Sequence, residues 1–149
     1  MVRFRTDVNV AGDFSHGKWD IPASGEYNAL ASIKLTAGAG GVSKYDLLYI
    51  TSAGTVLKAM GDVSTTMRCF GMATADITAA SSDIVMIEGL ITNSGWAWTP
   101  GADLFVSDTT AGAISSSVPS SGHLQQRVGL AITATTIYFY GNGIYFEVE

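Results

Sequence analysis

The chain has 149 residues, a length that fits one domain with a single modest core. It has 8 basic and 13 acidic residues and a formal net charge of −5, so it lacks the positive field that attracts nucleic acid. Only 14% of the residues are charged while 47% are hydrophobic, which indicates that some surface is shared with other subunits. The N-terminus has no secretory signal pattern and no apolar run is long enough to span a bilayer. We therefore expect neither a nucleic-acid nor a membrane partner.

The first forty residues lack clear strand limits. Polar and aromatic residues alternate over residues 13–25, and a Gly-rich stretch follows at residues 36–41. This pattern predicts an N-terminal arm and flexible segment over residues 1–41. Its candidate interface residues, on a neighbouring subunit or on a capsid, are Phe4, Phe14, Trp19 and Ile21. An edge strand of the same domain fits the stretch equally well.

From residue 42 onwards the sequence predicts short strands. β-branched and aromatic runs alternate with turn residues, and no segment has apolar residues at helical spacing over three turns. The predicted strands include a hairpin over residues 45–59 and further strands at residues 67–73, 83–91, 102–107 and 125–133. A second hairpin is predicted from residues 136–140 to 144–148, because the Asn-Gly step between them tolerates the positive φ of a tight turn.

The order of these features repeats once along the chain. Residues 45–49, YDLLY, match residues 102–106, ADLFV, and FGMA at 70–73 matches VGLA at 128–131. We therefore predict an all-β fold with little helix, a small barrel or sandwich in which two similar β-motifs share one core. The predicted β domain covers residues 42–149, with motif one at about 42–95 and motif two at about 96–149.

Residues suited to catalysis or metal binding are few. His16 and His123 lie far apart with no second ligand at metal spacing, and we interpret both as solvated loop residues. The only cysteine, Cys69, lies in an apolar predicted strand and is expected in the core. No Gly-x-Ser-x-Gly motif or calcium-loop spacing occurs. We therefore expect no enzyme and no catalytic, cofactor or metal site.

Trp96 and Trp98 are the remaining candidate interface residues. They lie two positions apart, so in a strand they would share one face and form an aromatic pair beside the Pro100-Gly101 turn. Such a pair can stack on a sugar or on a partner's side chain, or it can cover the open end of a small β core.

The last fifty residues resemble a pattern of tailed-bacteriophage virion proteins. The segments that carry this resemblance are WTPGADLFVS at 98–107, GAI at 112–114, VPS at 118–120 and QRVGLA at 126–131. The middle portion, VSKYDLLYI at 42–50 and FGMA at 70–73, looks like the small β-barrel of capsid decoration proteins. The resemblance implies a homotrimer on the outer capsid surface that binds the major capsid protein and stabilises the shell, with no catalytic residues.

The same C-terminal module is also similar to parts of phage tail fibres and baseplates. That resemblance implies an alternative function, a module that binds a host receptor or glycan. The residues expected to contact the glycan are Trp96, Trp98, Tyr138 and Tyr140.

Overall fold

A computed structural model describes residues 20–141 and 143–149. This part of the chain contains eleven strands, one 3-10 turn at Ser64–Thr66 and no α-helix, which confirms the predicted all-β class. The strands are β1 (Tyr27–Thr36), β2 (Leu47–Ile50), β3 (Val56–Lys58), β4 (Gly71–Ala73), β5 (Ser82–Thr92), β6 (Asp103–Val106), β7 (Ile114–Ser115), β8 (Leu124–Gln125), β9 (Arg127–Ala131), β10 (Thr136–Tyr140) and β11 (Phe146–Glu147).

Nine strands form one curled, half-barrel sheet whose two halves mirror each other. The order is β3-β2-β4-β5-β10-β9-β6-β7, and β1 pairs with the other side of β5. The first half contains the β2–β3 hairpin and the second half contains the β6–β7 hairpin in the mirrored position. The antiparallel β5–β10 pair joins the halves. The prediction of two similar β-motifs is therefore confirmed.

The glycines matched in the sequence repeat occupy corresponding strands. Gly71 in β4 lies opposite Leu48, and Gly129 in β9 lies opposite Leu104. A Cβ atom on Gly129 would lie 2.6 Å from the carbonyl oxygen of Tyr138, and one on Gly71 would lie 2.4 Å from Cγ1 of Val85. Each glycine therefore allows a close approach of the next strand in its half.

The larger hydrophobic core takes residues from both halves of the sheet. Leu47 and Met86 from the first half pack in one cluster with Leu104 and Phe139 from the second. Cys69 lies in this cluster with no exposed surface, and burial raises the pKa of its thiol to about 12. The prediction that Cys69 is a core residue is confirmed.

The predicted hairpin between residues 136–140 and 144–148 is wrong. β10 already has β5 on one side and β9 on the other, so neither of its edges is free for a third strand. The following chain continues to β11, which pairs with β8 in a separate two-stranded sheet. Gly143 still takes a positive φ of 74°, but here it supports a change of direction instead of a hairpin.

Only part of the predicted arm over residues 1–41 lies within the described residues, and most of that part belongs to the β domain. Residues 1–19 lie outside the described residues. β1 pairs with β5 along nearly its whole length, and Ala37 is buried in the smaller core. The β domain therefore begins before residue 42, and the alternative of an edge strand describes residues 27–36.

Candidate functional site: an aromatic cleft and an exposed edge strand

The connection from β5 to β6 holds the two tryptophans in place. The backbone N–H of Trp98 donates to the carbonyl of Ala134 (2.9 Å), and Ala102 N–H donates to the carbonyl of Thr99 (3.0 Å). Gly101 has a φ of 86°, as the third position of a Pro-Gly turn requires. The turn predicted at Pro100-Gly101 is therefore present and leads into β6.

Trp96 and Trp98 contact each other and a third ring that the sequence did not suggest. The two indole centres are 6.0 Å apart at an interplanar angle of 51°. The ring of Tyr45 meets Trp96 edge-on, with a centroid distance of 5.3 Å. All three rings are half-buried and pack against the larger core. The pair therefore packs against the core, which is the part of the core-covering interpretation that these contacts support.

The exposed sides of these rings line a shallow cleft, which we call the aromatic cleft. Its volume is about 280 Å³. The lining residues are Lys44, Tyr45, Asp46, Trp96, Trp98, Gly112, Ala113 and Ile114. The two charged residues at its rim are already paired: Lys44 Nζ donates to the carbonyl of Gly25 (2.6 Å), and Asp46 Oδ2 forms an ion pair with Lys58 (3.1 Å). The cleft therefore offers mainly apolar and aromatic surface.

Two features of the aromatic cleft are energetically unfavourable in the isolated chain. The indole N–H of Trp98 is buried and has no hydrogen-bond partner among the described residues, which costs roughly 1–3 kcal/mol. Tyr45 has a φ of 73°, a left-handed conformation that is rare for a bulky residue. Strain and unsatisfied donors of this kind cluster at functional sites.

The second candidate surface is β1, at the edge of the sheet. Seven successive residues, Asn28 to Lys34, are exposed. Leu30 and Ile33 are 60% and 43% exposed. Within the described part of the chain, β1 pairs only with β5, so its outer edge has no strand neighbour. An edge strand that is uncovered on both faces is unusual for a monomer.

The other predicted interface residues lie at or before the start of the described chain. Phe4, Phe14 and Trp19 lie outside the described residues. Ile21 is 54% exposed. The chain after it runs beside the aromatic cleft, since Ser24 Oγ accepts from the N–H of Ser94 (3.0 Å) and Gly25 accepts from Lys44.

The other two predicted glycan residues form a separate pair. The rings of Tyr138 and Tyr140 are 5.7 Å apart, and neither ring contacts Trp96 or Trp98. The hydroxyl of Tyr138 donates to Glu88, and Arg127 lies 5.9 Å from the Tyr140 ring. The structure therefore does not bring the four predicted residues into one site.

His123 is bonded to a carboxylate and is not simply a solvated loop residue. Its Nδ1 lies 2.8 Å from Oδ2 of Asp108, which also accepts from the backbone N–H of Ser120 (2.8 Å). The Ser120 bond, followed by the His123 bond, lowers the pKa of Asp108 to about 2. No group of three or more acidic, His or Cys residues suited to a metal ion occurs in the described ranges.

No known protein family matches the chain, and no curated protein is significantly similar to it. Among the described residues, no helix has the length and hydrophobicity needed to cross a membrane.

Proposed function

We propose that the chain is a structural virion protein that binds the outer surface of a phage capsid as a trimeric decoration protein and stabilises the shell. Its partners in this proposal are the major capsid protein and further copies of itself. The resemblance of residues 42–73 and 98–131 to virion proteins suggests this class. The structural observation that carries it is the exposed β1 with the large apolar side chains of Leu30 and Ile33, because a subunit that covers a shell needs contact surface beyond its own core.

A decoration protein can bind a shell through many copies of one weak contact. On a symmetric shell, each subunit repeats the same contacts with its neighbours, so their combined strength exceeds that of any single contact. Residues 1–19, which include Phe4, Phe14 and Trp19, supply further contact residues in this proposal. The half-buried rings of Trp96 and Trp98 supply a second contact surface at the aromatic cleft.

Binding to capsids that lack the protein tests this function. The purified chain is mixed with such capsids, sedimented, and located on the particles by electron microscopy. We expect saturable binding and a shell that withstands higher temperature. Binding to tails, or no binding to either, would contradict the proposal.

A shortened chain tests the contribution of the N-terminal segment. The deletion removes residues 1–19 and keeps residues 20–25, because Ser24 and Gly25 bond to the body of the domain. We expect at least about tenfold weaker capsid binding with an unchanged circular dichroism spectrum, since lost repeated contacts act together. Val63→Ser, a change at a 47% exposed residue that belongs neither to β1 nor to the lining of the aromatic cleft, is the control.

The aromatic cleft favours a second candidate function, glycan binding by a tail-fibre or baseplate module. Sugar rings stack on aromatic faces, and the rings of Tyr45, Trp96 and Trp98 line the cleft. A glycan array is the test. Saturable binding that Trp98→Ala abolishes, and that Tyr140→Phe leaves unchanged, would support this candidate over capsid decoration.

A further inference from the structure

We propose that β1 binds the β1 strand of a second copy of this chain, antiparallel to it, across a two-fold axis at Leu30. The nine-stranded sheet would then continue from one subunit into the next. This contact goes beyond the proposed function, because it requires only the chain itself and no capsid.

The backbone of β1 is available for such pairing. β1 is ten residues long, and within the described chain its only strand partner is β5. The outer edge of a strand presents unpaired N–H and C=O groups, which a further strand can bind. Seven successive exposed residues show that neither face of the strand is covered by the described part of its own subunit.

The side chains of β1 complement themselves in this register. With Leu30 on the axis, Lys34 lies opposite Glu26 of the partner subunit and Ile33 lies opposite Tyr27 of the partner subunit. Ser32 then lies opposite Asn28 of the partner subunit, and the two Leu30 side chains meet. Each pair away from the axis occurs twice because the contact is symmetric, whereas the Leu30 pair on the axis occurs once. Opposite charges and apolar pairs across strands are stabilising.

The charges on and directly before β1 support a second copy of the chain as its binding partner. Between residues 26 and 36, Glu26 and Lys34 are the only charged residues. Both are exposed, and neither forms an ion pair within the described part of the chain. A lysine on an edge strand normally discourages pairing. In this contact, however, Lys34 lies opposite the negatively charged Glu26 of the partner subunit.

The irregularity in β1 falls at the proposed axis. The register between β1 and β5 shifts on both sides of Ala31, so the strand is locally irregular next to Leu30. The regular segment before Leu30 then pairs with the regular segment after Leu30 of the partner subunit, and the segment after Leu30 pairs with the one before it. A two-fold contact joins copies in pairs, so it would link trimers to each other and would not itself form a trimer.

Charge reversal tests the register. Sedimentation equilibrium over a concentration series is expected to show a reversible dimerisation step for the wild type. Lys34→Glu and Glu26→Lys should each weaken that step by about tenfold, because each places two like-charged pairs in the contact. The double variant should restore the wild-type affinity within about threefold. Glu149→Lys, an equal charge change at an exposed residue outside β1, is the control.

A cysteine on the axis tests the position independently of the charges. Leu30→Cys should form a disulfide-linked dimer under mild oxidation, whereas Val63→Cys, at another exposed apolar site, should not. The native Cys69 is buried and does not interfere. The proposal is overturned if the wild type shows no such step, if the double charge variant is not restored, or if the two cysteine variants cross-link equally. None of these outcomes depends on capsid binding.

Discussion

Asp108 is a single residue whose ionisation affects the stability of the fold. Its folded pKa is about 2, below the ordinary value of 3.8, because Ser120 and His123 bond to the carboxylate. The stabilisation is therefore present above about pH 4 and is lost as the pH falls towards 2. We expect Asp108→Asn to lower the free energy of unfolding by about 1–2 kcal/mol at pH 7. Urea titrations at pH 7 and pH 2 should show most of the difference between the two proteins disappear at the lower pH.

Gln126 is a fully buried polar residue that holds two segments together. Its side-chain amide accepts from the N–H of Cys69 and donates to the carbonyl of Cys69, both at 2.8 Å. Gln126→Leu would leave both backbone groups buried without partners, so we expect a loss of about 2–4 kcal/mol in unfolding free energy, measured by urea denaturation. Gln125→Leu, at the half-buried neighbour, should cost about 1 kcal/mol or less. Equal losses in the two variants would contradict this role.

At the level of the strands, the two matched glycines allow close packing between neighbours. A methyl group on Gly129 would lie 2.6 Å from the backbone oxygen of Tyr138. The backbone of a paired strand can shift away from this contact only at a large cost in free energy. We expect Gly129→Ala to lower the midpoint of thermal unfolding and to cost about 2–3 kcal/mol. Gly95→Ala is the control, since its nearest neighbour is the side chain of Asn93 at 3.2 Å. A control variant as unstable as Gly129→Ala would refute the explanation.

The sequence correctly predicted the strands that contain runs of apolar, β-branched residues. The 45–59 hairpin and the strand at 83–91 have apolar, β-branched residues and form β2, β3 and β5, of which β5 lies in the middle of the sheet and β3 at one end. β1 was predicted only as an alternative to an extended arm, because residues 27–36 contain small and polar residues and owe their conformation to pairing with β5. The prediction of a C-terminal hairpin was wrong for a related reason. The local turn signal cannot show that both edges of β10 are already paired with other strands.

The candidate surfaces were predictable only in part. Spacing suggested Trp96 and Trp98 as a pair, and the structure confirms their contact. Tyr45 could not be assigned to them, because it is distant in sequence and its left-handed backbone has no signal in its residue type. The self-complementarity of β1 was overlooked because it appears only once residues 27–36 are known to form an edge strand.

For the whole molecule, the shared core predicts a single unfolding transition. Residues of both motifs pack in the larger cluster, and the β5–β10 pair joins the halves of the sheet. The smaller cluster belongs to the first half alone, but each motif taken by itself lacks part of the larger core. We expect tryptophan fluorescence and far-ultraviolet circular dichroism to give coincident urea transitions, and a fragment of residues 42–95 to remain unfolded. Two separated transitions, or a folded fragment, would show that the motifs are independent.

The contact between Trp96 and Trp98 also has an optical consequence. At a centroid distance of 6.0 Å and a tilt of 51°, the electronic transitions of the two indoles should couple and give a pair of circular-dichroism bands of opposite sign. The intensity of such a couplet depends steeply on ring separation and angle. The chain therefore contains its own label-free reporter of the aromatic cleft, and any sugar or subunit that moves either ring should change that signal without an attached dye.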